Sequence, residues 1–261
     1  MRRILITSLF SYRGDWSFFT ITEDKINIII TMAGQGKRFL GFREALPKHM
    51  IKVKGKTMFE WALSTLRDFF NCNFIFVALD LPKNAEFINE KCETLGIKKR
   101  KVILLKEPTS GQAETALKAE QAELNPDEPI IIYNIDTYVE QGEIKKEDIK
   151  GDGWIPSFPA KGAHWSFVEF DRNMRLKKIA EKERISEFGT IGLYYFKSFS
   201  LFKHSVNEYY KKNSHIERYV APVYNELLKG NKEVYVKLIP SEKVHVIGTP
   251  DELAAFEKDE K

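Results

Sequence analysis

Apolar residues recur along this chain in two rhythms, and the rhythm changes near the middle. Up to about residue 150, short unbroken apolar runs alternate with segments whose apolar residues fall three or four positions apart. That is the pattern of strands buried on both faces and of the helices that cover them. The runs Ile26–Thr31, Phe74–Leu79, Val102–Leu105 and Ile130–Tyr133 predict four strands. Between the first two, Thr57 and Glu60 form a capping box that opens a helix with Phe59, Leu63, Leu66 and Phe70 on one stripe. A second helix is expected from Asn84 to Leu95, with a left-handed stop at Gly96. A third opens near Ser110 and turns Ala113, Ala116 and Leu117 inward. Strands and helices alternating across short connections predict an α/β fold with a mainly parallel sheet.

From Gly151 onward the strands turn aromatic and β-branched, Trp165–Phe170 and Thr190–Phe196, and are separated by charged turns, which predicts a mixed or antiparallel half. A helix over Ile216–Lys229, a strand over Val234–Leu238 and a closing helix over Pro250–Glu257 complete the expected order. Internal repeats and low-complexity tracts are absent. Residues 1–26 precede the first strand that such a fold needs, yet Trp16, Phe18, Phe19 and Ile21 are too apolar for a free tail; an added edge strand and an overcalled start site both stay open. The expected division is an N-terminal extension (1–26), one domain (27–253) and a charged C-terminal tail (254–261).

Composition narrows the picture. At 261 residues and 43% apolar content, one large domain can fill its core. The 41 basic and 37 acidic residues are intermixed rather than gathered in an arm, so nucleic acid is not an expected partner. The clusters Lys98–Lys101 and Lys145–Lys150 read as solvated faces. No apolar run approaches the ~20 residues that span a bilayer, and the apolar stretch after Arg2 and Arg3 lacks a small-residue cleavage site. Cys72 and Cys92 have no metal spacing and suit a reducing compartment. The reading is a cytoplasmic protein with no membrane partner, and self-association into a homo-oligomer stays open.

The candidate chemistry begins where the first strand ends. Ile28-Ile29-Ile30-Thr31-Met32 runs into Ala33-Gly34-Gln35-Gly36-Lys37-Arg38-Phe39, and Lys48 follows. Gly34 and Gly36 remove side chains where backbone N–H groups from Met32 to Phe39 must approach phosphate oxygens. Arg38 and Lys48 add the charge that backbone dipoles lack. A dinucleotide fingerprint wants a third glycine where this chain has Phe39, and a Walker loop wants Gly-Lys-Ser or Gly-Lys-Thr, so the pattern predicts a different triphosphate cradle. Open parallel sheets bind ligands at the carboxyl ends of their strands. Ser110-Gly111-Gln112 and Asp136 fall at such ends as well. The expected roles are N–H groups and Gln112 for the base, and Asp136 for Mg²⁺, which binds through one or two carboxylates and completes its shell with phosphate and water.

These residues carry a family resemblance. The run Ala33–Phe39, then Leu46-Pro47-Lys48 and Val53-Lys54-Gly55-Lys56-Thr57-Met58, resembles the Gly-x-Gly-x-Arg, Pro-Lys and Gly-Lys-Pro-Met signature of the sugar-phosphate nucleotidylyltransferases. Further matches follow in order. Gly111-Gln112-Ala113-Glu114 is similar to the base-contacting helix start, which adds Glu114 to the nucleotide site, and Asp136 is similar to the first metal aspartate. Glu181-Lys182 resembles the element whose lysine meets the acceptor phosphate. Gly189-Thr190-Ile191-Gly192-Leu193-Tyr194 resembles the Gly-Leu-Tyr strand at the sugar, and Ile247-Gly248-Thr249-Pro250 the closing turn. The resemblance spans about residues 27–253 and implies a GT-A-like three-layer fold. It implies catalytic roles for Arg38, Lys48 and Lys182, and acceptor contacts at His164, Glu181, Lys182, Gly192 and Glu217. The texture of His164-Trp165-Ser166-Phe167 and Tyr219-Val220-Ala221-Pro222 resembles members from capsule and surface-polysaccharide gene clusters.

Two departures stand out. Val246 occupies the place of the family's second metal aspartate, so either one aspartate and the phosphates suffice or His245, Asp251 or another acid substitutes, and Glu183 replaces a proline after Lys182. The implied activity joins a nucleoside triphosphate to a sugar phosphate with loss of pyrophosphate. The alternatives are a cytidylyltransferase for a non-sugar phosphate and an inactive nucleotide-binding regulator. A glycosyltransferase of the same fold would want an Asp-x-Asp motif, of which Asn134-Ile135-Asp136 supplies only the second acid.

Overall fold

Strand β1 (Asn27–Met32) is buried except at half-buried Thr31 and sorts its side chains to two cores. Ile28, Ile30 and Met32 point into one, Ile29 into the other, as a period of two requires when both faces are covered. Each isoleucine so buried contributes roughly 1.5–3 kcal/mol. The computed structural model describes residues 25–34, 36, 39, 46–213 and 217–259. The expectations for residues 1–24 lie outside that set.

After β1 come the short strands β2 (Lys52–Val53) and β3 (Lys56–Thr57), which pair antiparallel, and helix α1 (Met58–Ser64). Then follow β4 (Asn73–Leu79), α2 (Asn84–Leu95), β5 (Arg100–Leu105), α3 (Gln112–Leu117), β6 (Ile130–Tyr133) and β7 (Thr137–Val139). The second half supplies β8 (Gly153–Pro159), β9 (Ser166–Phe170), β10 (Leu176–Glu181), β11 (Phe188–Thr190), β12 (Leu193–Phe196), α4 (Phe199–Lys212) and α5 (Tyr224–Lys229). It closes with β13 (Val234–Leu238), β14 (Val244–Val246) and α6 (Pro250–Lys258).

One ten-stranded sheet runs β10-β9-β11-β8-β12-β6-β1-β4-β5, with β13 also paired to β8. The half from β6 to β5 is parallel; from β12 outward the main path is antiparallel, as the change of texture predicts. Helices α1 and α2 pack on one face through Phe59, Leu63, Ile88 and Cys92. Helices α3, α4 and α5 pack on the other through Ala113, Ala116, Phe202, Val206 and Leu227. The result is the three-layer α/β architecture expected. Chain order reverses between β1 and β6, so a crevice opens beyond the carboxyl ends of these two neighbours. A smaller core of Phe39, Ile51, Val53, Met58, Ile247, Leu253 and Phe256 ties the end of the glycine turn to α6.

Several boundaries differ from expectation. Helix α1 is capped by the full Thr57–Glu60 box but ends at Ser64. Leu66 and Phe70 are buried from a following 3₁₀ turn (Arg67–Phe69) rather than from one continuous stripe. The Thr190–Phe196 run is split, because Gly192 sits at φ 79° and breaks the extended path. The helix expected over Ile216–Lys229 begins as a 3₁₀ turn at Ala221 and is α-helical from Tyr224. Strands β8 and β10 and helix α4 have no counterpart in the sequence expectation. Cys72 and Cys92 are both buried. No described helix is long and apolar enough to cross a membrane.

Candidate active site

Beyond the carboxyl ends of the strands lies a cleft of about 1040 Å³. At its β1 end, Met32, Ala33, Gly34 and Gly36 form the wall. Gly36 is left-handed at φ 61° and its carbonyl accepts the Phe39 N–H at 2.9 Å, a tight turn that an L side chain would strain. Among the described residues nothing stands within 4 Å of a Cβ added at Gly34 or Gly36. Gln35, Lys37 and Arg38 lie outside the described residues.

Asp136 reaches the same cleft from the end of β6. Its N–H donates to Asn134 Oδ1 at 3.3 Å, and its carbonyl accepts the Ile247 N–H at 2.8 Å. Lys48, from a short 3₁₀ turn, forms an ion pair with the Asp136 carboxylate, and both side chains keep about a fifth of their surface exposed. Gly248 packs so closely that an added Cβ would stand 3.2 Å from the Asp136 Cβ. The cation and the carboxylate are therefore fixed beside the glycine turn and still open to a ligand.

Gly111 and Gln112 form a third wall. A Cβ on Gly111 would stand 2.5 Å from the Arg218 carbonyl oxygen, so only glycine permits the approach. The two segments are locked by Ala113 N–H to Arg218 O at 2.8 Å and Arg218 N–H to Ser110 O at 3.1 Å. Among the described residues the buried Gln112 amide nitrogen in this wall has no hydrogen-bond partner, a donor left without an acceptor. Glu114 is not brought to the cleft. Its carboxylate accepts from the Ser110 N–H at 2.9 Å and from the Ser110 hydroxyl, bonds that hold its pKa low and fasten the loop.

At the far end the walls are side chains from four connections. Glu181, at the end of β10, accepts from the Ser166 hydroxyl; burial raises its pKa, against the pull of Ser166 and Lys182. Lys182 takes a left-handed conformation at φ 55°, which lifts its side chain off the β10 path. Its ammonium meets the Tyr219 hydroxyl, lies 4.7 Å from the Tyr219 ring centroid and is 4.0 Å from the Glu217 carboxylate. Tyr219 also donates to Glu217, while Tyr210 from α4 donates to the Tyr219 carbonyl at 2.7 Å and steadies the loop. His164, Trp165 and Gly192 complete this end. Helix α6 adds Glu252, whose Oε1 lies 3.9 Å from His164 Nε2.

The candidates for the missing second metal acid separate. His245 does not line the cleft: it stacks on Tyr138 at 5.3 Å and stands 3.5 Å from Glu140. Asp251 is exposed and also absent from the wall, whereas Val246 faces the cleft beside Thr137. Among the described residues no three His, Cys, Asp or Glu side chains converge. Among the described residues the donor set is one carboxylate beside the glycine turn, which fits an ion that takes one or two carboxylates and fills its shell with ligand oxygens. The sequence did not mark Glu252, because Thr249-Pro250-Asp251-Glu252 reads as an ordinary helix start.

A mixed sheet with its crevice at the switch point, lined by a glycine turn, an aspartate and a lysine, defines an α/β nucleotide-binding architecture. Comparisons with known proteins agree. The nucleoside-diphosphate-sugar pyrophosphorylase of Vibrio cholerae RC9 superposes with a TM-score of 0.82 and 29% identity, over 89% of this chain and 100% of that one. The inositol-1-phosphate CTP transferase of T. maritima superposes with a TM-score of 0.71 over 91% of this chain and 98% of that one; at 14% identity it shows the fold alone. A 48-residue segment is 44% identical to the "Probable UDP-N-acetylglucosamine pyrophosphorylase" of Encephalitozoon cuniculi, spanning 18% of this chain and 13% of that relative. No family model matches the chain. The chain is thus similar to the nucleotidyltransferases of the nucleotide-diphospho-sugar transferase superfamily.

Proposed function

We propose that the cleft carries out nucleotidyl transfer from a nucleoside triphosphate to a sugar phosphate. A phosphate oxygen of the acceptor attacks the α-phosphorus in line, the new P–O bond forms as the α–β bridge breaks, and pyrophosphate leaves. The observation that carries this reading is that the glycine turn after β1, Asp136 after β6 and Lys182 after β10 share one cleft. Two anions must meet at roughly 3–3.5 Å, so the protein's task is positioning and charge neutralisation.

In this reading backbone N–H groups at Met32–Gly36, with Arg38 and Lys48, hold the β- and γ-phosphates, and Gln112 offers its buried amide to the base. Lys182 holds the acceptor phosphate. Glu181, Glu217, His164 and Gly192 shape the acceptor's surroundings. Asp136 is the residue that would hold Mg²⁺, which when bound neutralises phosphate charge and polarises the phosphorus centre. On arrival of a triphosphate Lys48 exchanges the Asp136 carboxylate for phosphate oxygens. A cytoplasmic enzyme making a nucleotide sugar for surface polysaccharide is the setting that the motif texture suggests.

The test is pyrophosphate release across a grid of nucleoside triphosphates and phosphorylated acceptors, with and without Mg²⁺. Wild-type protein is expected to turn over at least one triphosphate with a sugar 1-phosphate, and Asp136→Asn to stay folded with turnover down by about 10²–10³. Turnover with non-sugar phosphates alone would shift the reading to the cytidylyltransferase alternative. Val246, an apolar side chain where a carboxylate would serve, favours a second reading, a nucleotide-binding regulator. Tight triphosphate binding with no pyrophosphate from any acceptor would establish it.

A further inference from the structure

We propose that Glu252 reads the acceptor: its carboxylate, beside the His164 imidazole, takes hydrogen bonds from hydroxyl groups of a polyol phosphate. This rests on the nucleotidyl-transfer reading above and narrows its acceptor.

The chain opens two helices with the same local sequence, Thr-x-x-Glu, and uses the glutamate differently in each. At Thr57-Met58-Phe59-Glu60 the box closes both ways. Glu60 N–H donates to Thr57 Oγ1 at 3.2 Å, and Glu60 Oε2 accepts the Thr57 N–H at 2.8 Å and its hydroxyl at 2.7 Å. At Thr249-Pro250-Asp251-Glu252 only half of it forms. Thr249 Oγ1 accepts the Glu252 N–H at 3.2 Å, but among the described residues no bond returns from the Glu252 carboxylate to the Thr249 N–H. The carboxylate turns into the cleft instead, 28% exposed, and stops 3.9 Å from His164 Nε2. That gap is too long for a hydrogen bond and leaves both groups able to take a ligand's donor.

The position fits the acceptor. The loop carrying His164 is held to the strand end carrying Lys182 by the Lys182 N–H to Trp165 O bond at 2.9 Å, so the pair stands next to the proposed phosphate anchor. Glu181, Glu217, His164 and Glu252 make this end rich in acceptors, which suits hydroxyl donors. A quaternary ammonium would instead want free aromatic faces. Here Trp165 packs against Phe158 at 5.2 Å and His164 at 4.6 Å, and the Tyr219 ring already carries Lys182.

The experiment is equilibrium binding of glucose 1-phosphate, inositol 1-phosphate and phosphocholine to the full chain. It is run with Mg²⁺ and a non-hydrolysable nucleoside triphosphate, for wild type, Glu252→Gln and Glu60→Gln, with Mn²⁺ titrated separately. Glu252→Gln is expected to weaken a polyol phosphate about tenfold, the size of losing a charge-assisted bond. Triphosphate and Mn²⁺ affinity and Tm should hold. Glu60→Gln should lower Tm and leave all ligands alone. Unchanged polyol binding in Glu252→Gln, an equal loss for phosphocholine, or wild-type failure to bind either polyol overturns the proposal. Weakened Mn²⁺ binding in Glu252→Gln also overturns it, in favour of a metal ligand replacing the acid missing at Val246. Failure of wild-type protein to bind any triphosphate is a separate result, and it overturns the nucleotidyl-transfer reading itself.

Discussion

The two ends of the cleft are held together by different parts of the chain. The end at β1 is shaped by main chain, around which the Asp136, Lys48 and Gln112 side chains are set: the Gly36 turn, and Gly111 pressed against the Arg218 backbone with bonds of 2.8 and 3.1 Å on either side. The end at β10 is made of side chains that hold one another across elements: Ser166 with Glu181, Lys182 with Tyr219 and Glu217, Thr190 with Tyr194, His164 near Glu252. Backbone sites tolerate little because the glycines set the path itself. Side-chain sites can be rebuilt one residue at a time, so in the proposed reading the acceptor can change while the proposed triphosphate end stays as it is.

Two substitutions would sharpen or break this contrast most. Lys182→Met removes the proposed acceptor cation from an exposed position. We expect kcat/KM for the acceptor to fall by about 10²–10³, with triphosphate affinity and Tm unchanged. Steady-state kinetics with each substrate varied in turn checks it, and an equal loss of triphosphate affinity would mean that the two ends are not independent. Gly111→Ala should act on the other end. The new Cβ meets Arg218 backbone atoms at 2.5, 2.7 and 2.8 Å, which no rotamer change relieves. Overpacking of this kind costs about 1–3 kcal/mol. Chemical denaturation together with triphosphate titration should show both stability and affinity falling. A variant with native stability would show the contact to be soft.

The same contrast explains what could be read from the sequence. Where structure follows from neighbours along the chain, the expectation matches: Asn84–Leu95 stops at Gly96 (φ 82°), Ile130–Tyr133 is a strand, and Thr57 with Glu60 closes its box. Strand β8 holds two prolines, Pro156 and Pro159, residues that local pattern does not favour in a strand, yet Pro156 sits in the sheet with its carbonyl accepting the Ile191 N–H at 3.2 Å. Helix α4 did carry a usable stripe in Phe199, Phe202, Val206 and Tyr210, which went unread among its polar residues. The glycine turn and Asp136 announce themselves through motif spacing. Tyr219 over Lys182, and Glu252 beside His164, depend on pairings between distant segments that no local pattern encodes.

Glu181 gives a smaller test, through pH. Burial pushes its carboxyl above the ordinary value, opposed by the Ser166 hydroxyl and Lys182 and reinforced by Glu217. The folded protein thus holds this proton more tightly than the unfolded chain does. Between the ordinary and the raised value, stability falls as pH rises, because ionisation is harder in the fold. Acceptor binding runs the opposite way, since a protonated Glu181 no longer accepts a full set of hydrogen bonds. We expect acceptor KM to rise several-fold as pH drops through the mildly acid range, and Glu181→Gln to flatten that limb. A limb that persists in the variant would assign it to another group.

The smallest effect belongs to Glu60, which lies outside the cleft and isolates the cost of a cap from the cost of a site. Burial raises its pKa, but the Thr57 N–H and hydroxyl, and Lys91 at 3.5 Å, outweigh burial and leave the net value lowered. The unfolded chain therefore binds the proton more readily. The cap's contribution is complete above the ordinary carboxylate value and disappears as pH falls through the lowered one. Glu60→Gln keeps the shape and loses the charge, so it should cost about 0.5–1.5 kcal/mol near neutral pH and approach wild type in acid. Thermal melts of the two proteins across pH should converge at the acid end. Parallel melts would place the loss in packing rather than charge, and the Thr-x-x-Glu pair could then no longer separate a structural carboxylate from one turned toward a ligand.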